Sequence, residues 1–434
     1  MAKGEPMEDT IELYAATGED PVGDAKLPVG ISFFEEVVRG DYYYADKTLL
    51  ARDVLADQAK VILFCRPRRF GKTLNLDMLR CFFELTPDGR DVSGLFADKA
   101  VSRCGDAVMR HQGRYPVVWL TFKDVKYPTW EGALRNIARL VQFECGRHRY
   151  LQGCEACARE DREVFSRLLA GDTTATEQAL SVLTRMLAAY HGTPCVILID
   201  EYDTPVNEAL HYGYYDEAVR FMRVFLSGGL KDNPALFHGY LTGILRVAKE
   251  GIFSGLNNLA VDTVLSTRYA QYFGFTRSEV RAMCEEYEVP EKYGELRDWY
   301  DGYHFGNQEM YNPWSVANYF REDQTPQAYW VSTSSNSVIS DVLAQATPQM
   351  QETLTSLLEG GAVATRVDTG VAYPRVFDDE QTALSLLLMS GYLTVAEGSR
   401  PNSLSRYRLQ LPNKETRIVY KSEVVEAMAK LRDR

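Results

Sequence analysis

The chain lacks any apolar run near the roughly 18 residues that a membrane-spanning helix needs, so no span is expected. Its first residues, MAKGEPMEDTIELYAATGED, have no apolar core and are acidic where a secretory signal is basic. Residues 1–25 therefore read as a disordered tail, and the protein is expected to be cytoplasmic with no membrane contact. A basic excess is also missing. The 48 Lys and Arg face 60 Asp and Glu, for a formal charge of −12. That balance argues against a surface that coats nucleic acid or anionic lipid as a whole. A local basic groove is still allowed, so a nucleic-acid partner is left open without support from net charge. No internal repeat and no low-complexity tract is present.

Cysteine is sparse as well. Eight cysteines scattered over 434 residues do not have the density of a disulfide-stapled secreted domain. One cluster, Cys145, His148, Cys154 and Cys157, offers four side chains of zinc-ligand type. Its two pairs lie close together, the flanking sequence 130–169 reads as helix, and no glycine-rich knuckle surrounds either pair. Ordinary helical packing is the favoured reading of that cluster.

What the chain has is the composition of a globular protein, 45% hydrophobic and 25% charged, at a length suited to two or three domains. Val61-Ile62-Leu63-Phe64-Cys65 is a short, continuously apolar run, as in a strand buried on both faces. A turn holding Pro67 and Gly71 follows, then apolar residues at helical spacing from Leu74 to Leu85. Further strand-like runs are 116–122, 195–199 and 236–243, with helical stretches over about 130–190. Apolar strands alternating with helices predict an α/β layer with a mainly parallel sheet, whose ligands bind beyond the carboxyl ends of the strands.

Two polar motifs fall at such ends. Arg66-Pro67-Arg68-Arg69-Phe70-Gly71-Lys72-Thr73 lies between strand and helix and ends in Gly-Lys-Thr. Backbone N–H groups at a helix N-terminus suit phosphate, the lysine reaches the β/γ-phosphates, and the threonine hydroxyl suits Mg²⁺. The string departs from the P-loop pattern GxxxxGK[ST] in one place: Arg66 replaces the first glycine, which would relieve the turn. The second motif is Asp200-Glu201-Tyr202-Asp203. Asp200 is placed to orient Mg²⁺ and Glu201 to polarise the attacking water, with Asp203 only structural.

These strings, with Tyr44-Ala45-Asp46-Lys47-Thr48, Leu241-Thr242-Gly243-Ile244-Leu245-Arg246, Ser254-Gly255-Leu256-Asn257-Asn258 and Tyr311-Asn312-Pro313-Trp314-Ser315, resemble the bacterial AAA-ATPase-like family in order over roughly 27–415. The resemblance implies a P-loop NTPase parallel sheet of the additional-strand, catalytic-glutamate type, a C-terminal helical lid and a small mixed C-terminal region. It implies binding of ATP and Mg²⁺ and hydrolysis that drives lid or subunit movement, with a protein partner or self-association allowed. The phosphate loop and its flank (Pro67, Arg68, Arg69, Phe70, Gly71, Lys72, Thr73, Leu74) would hold nucleotide, as would Asp46 and Lys47 near the base, unless those two form a structural ion pair. Thr73 and Asp200 would hold the metal. Glu201, Lys72, Thr242 and Arg246 would serve catalysis, Thr242 as a sensor of γ-phosphate or water and Arg246 as cationic sensor or arginine finger. The bland alternative for Arg246 is an i,i+4 pair with Glu250.

Many family members continue into a PD-(D/E)XK nuclease-like domain. No D…(D/E)xK string follows a buried strand before Arg434, so nuclease activity is not expected. The expected layout is a tail (1–25), an ATPase core (26–274), a helical lid (275–325) and a mixed α/β region (326–434). Two helix starts support the lid: a capping box from Thr276 to Glu279, and Asn312-Pro313 as N-cap and first helical residue. The turn Asp301-Gly302-Tyr303-His304-Phe305-Gly306 would pack the lid on the core, and Tyr42-Tyr43-Tyr44 either stack bases or join the core. The competing functions are a nucleotide-bound switch or scaffold with little hydrolysis, and a small-molecule kinase, which the adjacent Asp-Glu pair disfavours.

Overall fold

The computed structural model describes residues 26–86, 91–246, 252–253, 258–330, 347–370, 379–399 and 406–422. The expected tail 1–25, the rival partner Glu250 and most of the string 254–258 lie outside the described residues.

Five strands form an all-parallel sheet: β1 Val61–Cys65, β2 Val117–Thr121, β3 Cys195–Asp200, β4 Leu236–Gly243 and β5 Leu259–Asp262. All residues of β1 and β3 are buried, which is why both read as unbroken apolar runs. Full burial of each such Val, Ile or Leu is worth about 1.5–3 kcal/mol against the unfolded chain. The spatial order is β2-β3-β4-β1-β5. Strand β4 is thus inserted between β1, which feeds the phosphate loop, and β3, which carries the acidic end. That is the topology of the additional-strand P-loop NTPases. Strand β5 has no counterpart in the sequence reading, because an edge strand of four residues, three of them partly exposed, leaves too little apolar pattern to detect.

Helix Lys72–Phe83 follows the loop and buries Leu76, Met78, Leu79, Phe82 and Phe83 against the sheet. Its Asp77 is wholly buried, accepting from the Phe34 backbone N–H at 2.7 Å and pairing with Arg80. The helix Phe34–Arg39 is thereby pinned beside the phosphate loop.

After β5 the texture changes, as expected, but the lid is not purely helical. The helices Arg277–Glu286, Tyr293–Tyr300 and Pro313–Arg321 share it with a three-stranded antiparallel sheet of β6 Phe275–Thr276, β7 Tyr303–Phe305 and β8 Gln308–Tyr311. Strands of two to four residues carry no periodicity, so only their pairing reveals them. The capping box is formed, with Thr276 Oγ1 accepting from the Glu279 N–H and Glu279 returning the bond. Asn312 caps the last lid helix. The lid has its own core, including Val280, Met283, Leu296, Tyr300 and Tyr319.

The C-terminal residues contribute helix Pro348–Leu358, β9 Val363–Arg366, helix Glu380–Ser390, β10 Thr394–Val395 and β11 Arg406–Gln410. The apolar run 384–393 lies mostly in helix Glu380–Ser390, and its leucines join the main core. A helix over 414–422 follows, and its Glu415 is fully buried. The carboxylate accepts from Ser315 Oγ at 2.8 and 2.9 Å and from the Trp330 N–H at 2.9 Å, with no cation in reach among its hydrogen-bond partners.

Burial pushes Glu415 up to about 7, against an ordinary value near 4.5. The folded state therefore holds its proton more tightly than the unfolded chain. Below 4.5 both states are protonated and the penalty vanishes; as pH rises from 4.5 through 7 the buried carboxyl must ionise and stability falls. Glu415→Gln keeps an acceptor for Ser315 and Trp330, and is expected to remove up to about 3 kcal/mol of that decline. Denaturant unfolding at pH 5 and pH 8 measures it: the parent-to-variant gap should widen at the higher pH.

Candidate active site

Gly71 caps helix Lys72–Phe83 with a φ of 77°, a left-handed conformation that a residue with Cβ adopts only under strain. The turn before it holds Arg69 at φ 68°. Lys72 is almost fully buried, and its Nζ donates to the carbonyls of Arg66 at 3.1 Å and Pro67 at 2.9 Å. Burial lowers its pKa, while the nearby Glu201, Asp200 and Asp203 carboxylates oppose that shift.

The acidic strand end lies beside the loop. Asp200 has no exposed surface. Its Oδ2 accepts from Thr73 Oγ1 at 2.9 Å and more loosely from Thr121 Oγ1 at 3.4 Å, and its Oδ1 accepts from Thr242 Oγ1 at 2.6 Å. Burial drives the Asp200 pKa up, with the Thr242 and Thr73 hydroxyls and Lys72 pulling it back. Thr242 also accepts from the Glu201 N–H at 3.1 Å. One buried hydroxyl at the end of β4 thus orients both acidic residues at the end of β3. Glu201 sits at φ 51°, partly exposed, with Thr204 Oγ1 donating to its carboxylate at 3.3 Å. Such a conformation costs a non-glycine residue about 1–2 kcal/mol.

Asp203 is buried and accepts from the N–H groups of Ile244 and Leu245 at 2.8 and 3.1 Å, so it fastens the chain leaving β4, and it does not line the cleft. Gly243 makes room for this: a Cβ there would stand 2.7 Å from the Tyr202 ring and 2.9 Å from Asp203.

A cleft of about 520 Å³ opens along this edge. Arg68, Arg69, Gly71, Lys72 and Thr73 form one wall, with Leu74 and Glu201 alongside. The segment 27–32, with Tyr43, Tyr44 and Lys47, forms a second, and Gly274, Phe275 and Trp314 a third. Lys123, Asp124 and Lys126, from the loop after β2, complete it.

The expected residues divide accordingly. Pro67 and Phe70 face away from the cleft: Phe70 is wedged against Tyr303 at 4.9 Å and Phe305 at 5.1 Å, so the 301–306 turn does pack the lid on the phosphate loop. Asp46 accepts from the Thr48 N–H and hydroxyl and from the Ala100 N–H, a local structural role. Lys47 reaches the cleft wall, but its Nζ is tied to Glu279 of the lid at 2.6 and 2.7 Å and to the Gln271 carbonyl. The ion pair is thus with the lid, not with Asp46. Arg246 is not among the residues lining the cleft, and its Nε is buried without a hydrogen-bond partner among the described residues.

The cysteine cluster is packed into the core. Cys145, His148, Cys154 and Cys157 are all buried, and the His148 ring is engaged by Tyr150, the Val117 carbonyl and Glu144. Among the described residues no group of three or more His, Cys, Asp or Glu side chains could hold a metal ion.

The missing first glycine has a physical explanation. The Arg66 N–H extends the β1–β4 ladder to the Gly243 carbonyl at 3.0 Å. Its guanidinium is fully buried, paired with Asp262 at the end of β5, bonded to the carbonyls of Cys65 and Asp262, and set over the rings of Phe273 and Phe305. Asp262→Ala leaves that charge unpaired, and is expected to cost about 3–5 kcal/mol in denaturant unfolding. Arg66→Leu with Asp262→Leu should recover most of the loss, since an apolar pair of similar volume replaces the ions.

Lys123 and Asp124 belong to no motif in the sequence; their place beyond the carboxyl end of β2 is the signal that could have found them. The segment 27–32 carried no motif.

The chain is similar to a curated protein of Azotobacter chroococcum mcd 1, described as an uncharacterized protein in the vnfD 5′ region, at 29% identity over 406 residues, covering 90% of this chain and 68% of that protein. Among solved structures it is similar to a Walker-type ATPase of Pyrococcus abyssi, with TM-score 0.44 and 11% identity over 88% of this chain and 97% of that one. A family model described as Predicted AAA-ATPase matches residues 28–253, just over half the chain, from before β1 to past β4. With its phosphate loop, acidic strand end and inserted strand, the chain belongs to this AAA-ATPase-like family.

Proposed function

We propose that the protein binds ATP with Mg²⁺ and hydrolyses it, and that nucleotide state moves the lid against the core. The observation that carries this reading is the buried chain of bonds from Thr73 through Asp200 and Thr242 to the Glu201 backbone. It locks the phosphate loop and the acidic strand end into one unit at the mouth of the cleft. The Thr73 hydroxyl and Asp200 carboxylate are hard oxygen donors of the kind Mg²⁺ prefers, and a site of one carboxylate completed by substrate phosphates is ordinary for it. Bound there, the ion would neutralise phosphate charge.

Lys72 would exchange its loop carbonyls for the β/γ-phosphates. Glu201 would take a proton from water as the water oxygen bonds to the γ-phosphorus; the bond from that phosphorus to the bridging oxygen breaks, and its electron pair stays on ADP. Coupling to the lid rests on direct contacts of the loop: the Arg69 guanidinium lies 4.1 Å over the Trp314 ring, and Phe70 is held by Tyr303 and Phe305.

The second reading, a nucleotide-bound switch or scaffold that barely hydrolyses, is favoured by one observation. Thr242 spends its hydroxyl on Asp200 and the Glu201 N–H, which leaves no hold on the γ-phosphate. Phosphate release from purified protein with ATP and Mg²⁺, against a chelator control, separates the two. Sustained multiple turnover supports the ATPase, and tight binding with less than one turnover supports the switch.

A further inference from the structure

Resting on that reading, we infer that Lys123 and Lys126, on the loop after β2, contact the γ-phosphate and supply within the same chain the positive charge that an arginine finger supplies elsewhere. The loop is held rigidly. Phe122 and Val125 have no exposed surface, the Phe122 N–H donates to the Asp200 carbonyl at 3.0 Å, and Tyr214 Oη donates to the Tyr127 carbonyl at 2.6 Å. With Phe122 and Val125 turned inward, Lys123, Asp124 and Lys126 are turned outward, and all three line the cleft that contains Gly71, Lys72 and Glu201.

The placement suits the end of the triphosphate. Thr121 of β2 pairs in register with Asp200 of β3, so the loop leaves the sheet beside the acidic pair, on the side opposite β4 and the phosphate loop. A group approached by Lys72 from one side and activated by Glu201 would meet these lysines from the other. Among the other cations, Lys47 is committed to Glu279, the Arg69 guanidinium rests on Trp314, Arg246 does not line the cleft, and Arg68 lines it on the same wall as Lys72. Lys123 and Lys126 are exposed and make no ion pair or side-chain hydrogen bond among the described residues. Asp124 between them is the loop's one acid.

Lys123→Ala with Lys126→Ala, and the matching pair of arginine substitutions, test the inference on the full chain. Calorimetry with a non-hydrolysable ATP analogue and with ADP, both with Mg²⁺, should show the alanine pair losing about tenfold in analogue affinity with ADP affinity and melting temperature unchanged. Turnover should fall about a hundredfold, mostly in kcat, and the arginine pair should recover much of it. Equal losses for analogue and ADP, or no loss for either, would overturn it. If the parent itself shows no turnover, the hydrolysis reading fails, while the analogue-against-ADP comparison still decides the role of the lysines.

Discussion

Replacing Glu201 by glutamine is expected to lower ATP turnover by about 10²–10⁴-fold, the usual worth of a general base, while nucleotide affinity stays at the parent value. The substitution keeps side-chain length and the acceptor for Thr204 Oγ1, and the backbone bond from the residue-201 N–H to Thr242 does not depend on the side chain. The left-handed φ of 51° carries the same cost for either residue, so melting temperature should not move. Steady-state phosphate release and calorimetry on one preparation measure both halves. Turnover at the parent rate would place the base elsewhere and remove Glu201 from the mechanism. A fall in affinity equal to the fall in rate would mean that Glu201 helps to bind nucleotide and not to activate water.

Loss of nucleotide binding is the expected result of Lys72→Ala. The ammonium is almost fully buried, and among the described residues its hydrogen bonds go to the Arg66 and Pro67 carbonyls, neutral partners that a phosphate would replace. Removing one member of a buried charge pair costs about 2–5 kcal/mol, which is roughly 30-fold to several-thousandfold in Kd. Calorimetry with ATP and with ADP should both show it. The rise in melting temperature on adding nucleotide should disappear as well, because that rise is a direct measure of binding to the folded state. Without nucleotide the variant should melt close to the parent, since two loop carbonyls lose a donor but the protein also sheds a desolvated cation. Parent-like ATP affinity would mean that the 66–73 loop is not the phosphate site.

Much of the site was legible because its chemistry is local in the chain. Gly71-Lys72-Thr73 between a strand and a helix, and Asp200-Glu201 at the end of a buried strand, are each read within a dozen residues. The parallel sheet was legible for a related reason: strands buried on both faces must be apolar throughout. The lid's small sheet and β5 were not legible, because runs of two to four residues carry no periodicity and exist as strands only through pairing with other segments.

Roles that depend on contacts across long stretches of chain could not be read in advance. Thr242 was expected to sense phosphate, yet its hydroxyl reaches Asp200 across 42 residues of sequence and is better placed to orient the acids than to touch nucleotide. Lys47 was set near the base, and a carboxylate 232 residues away claims it. Arg66 stands where the pattern has its first glycine, and its guanidinium is paired with Asp262, 196 residues downstream.

The sequence by itself determined the fold class, the phosphate loop and the acidic strand end, since backbone periodicity and the Gly-Lys-Thr and Asp-Glu strings are set by neighbours. Only the tertiary structure decided which cations are free to meet a phosphate. A charge is free or spent according to what is packed beside it, and here the spending partners, Glu279 for Lys47 and Trp314 for Arg69, come from the lid.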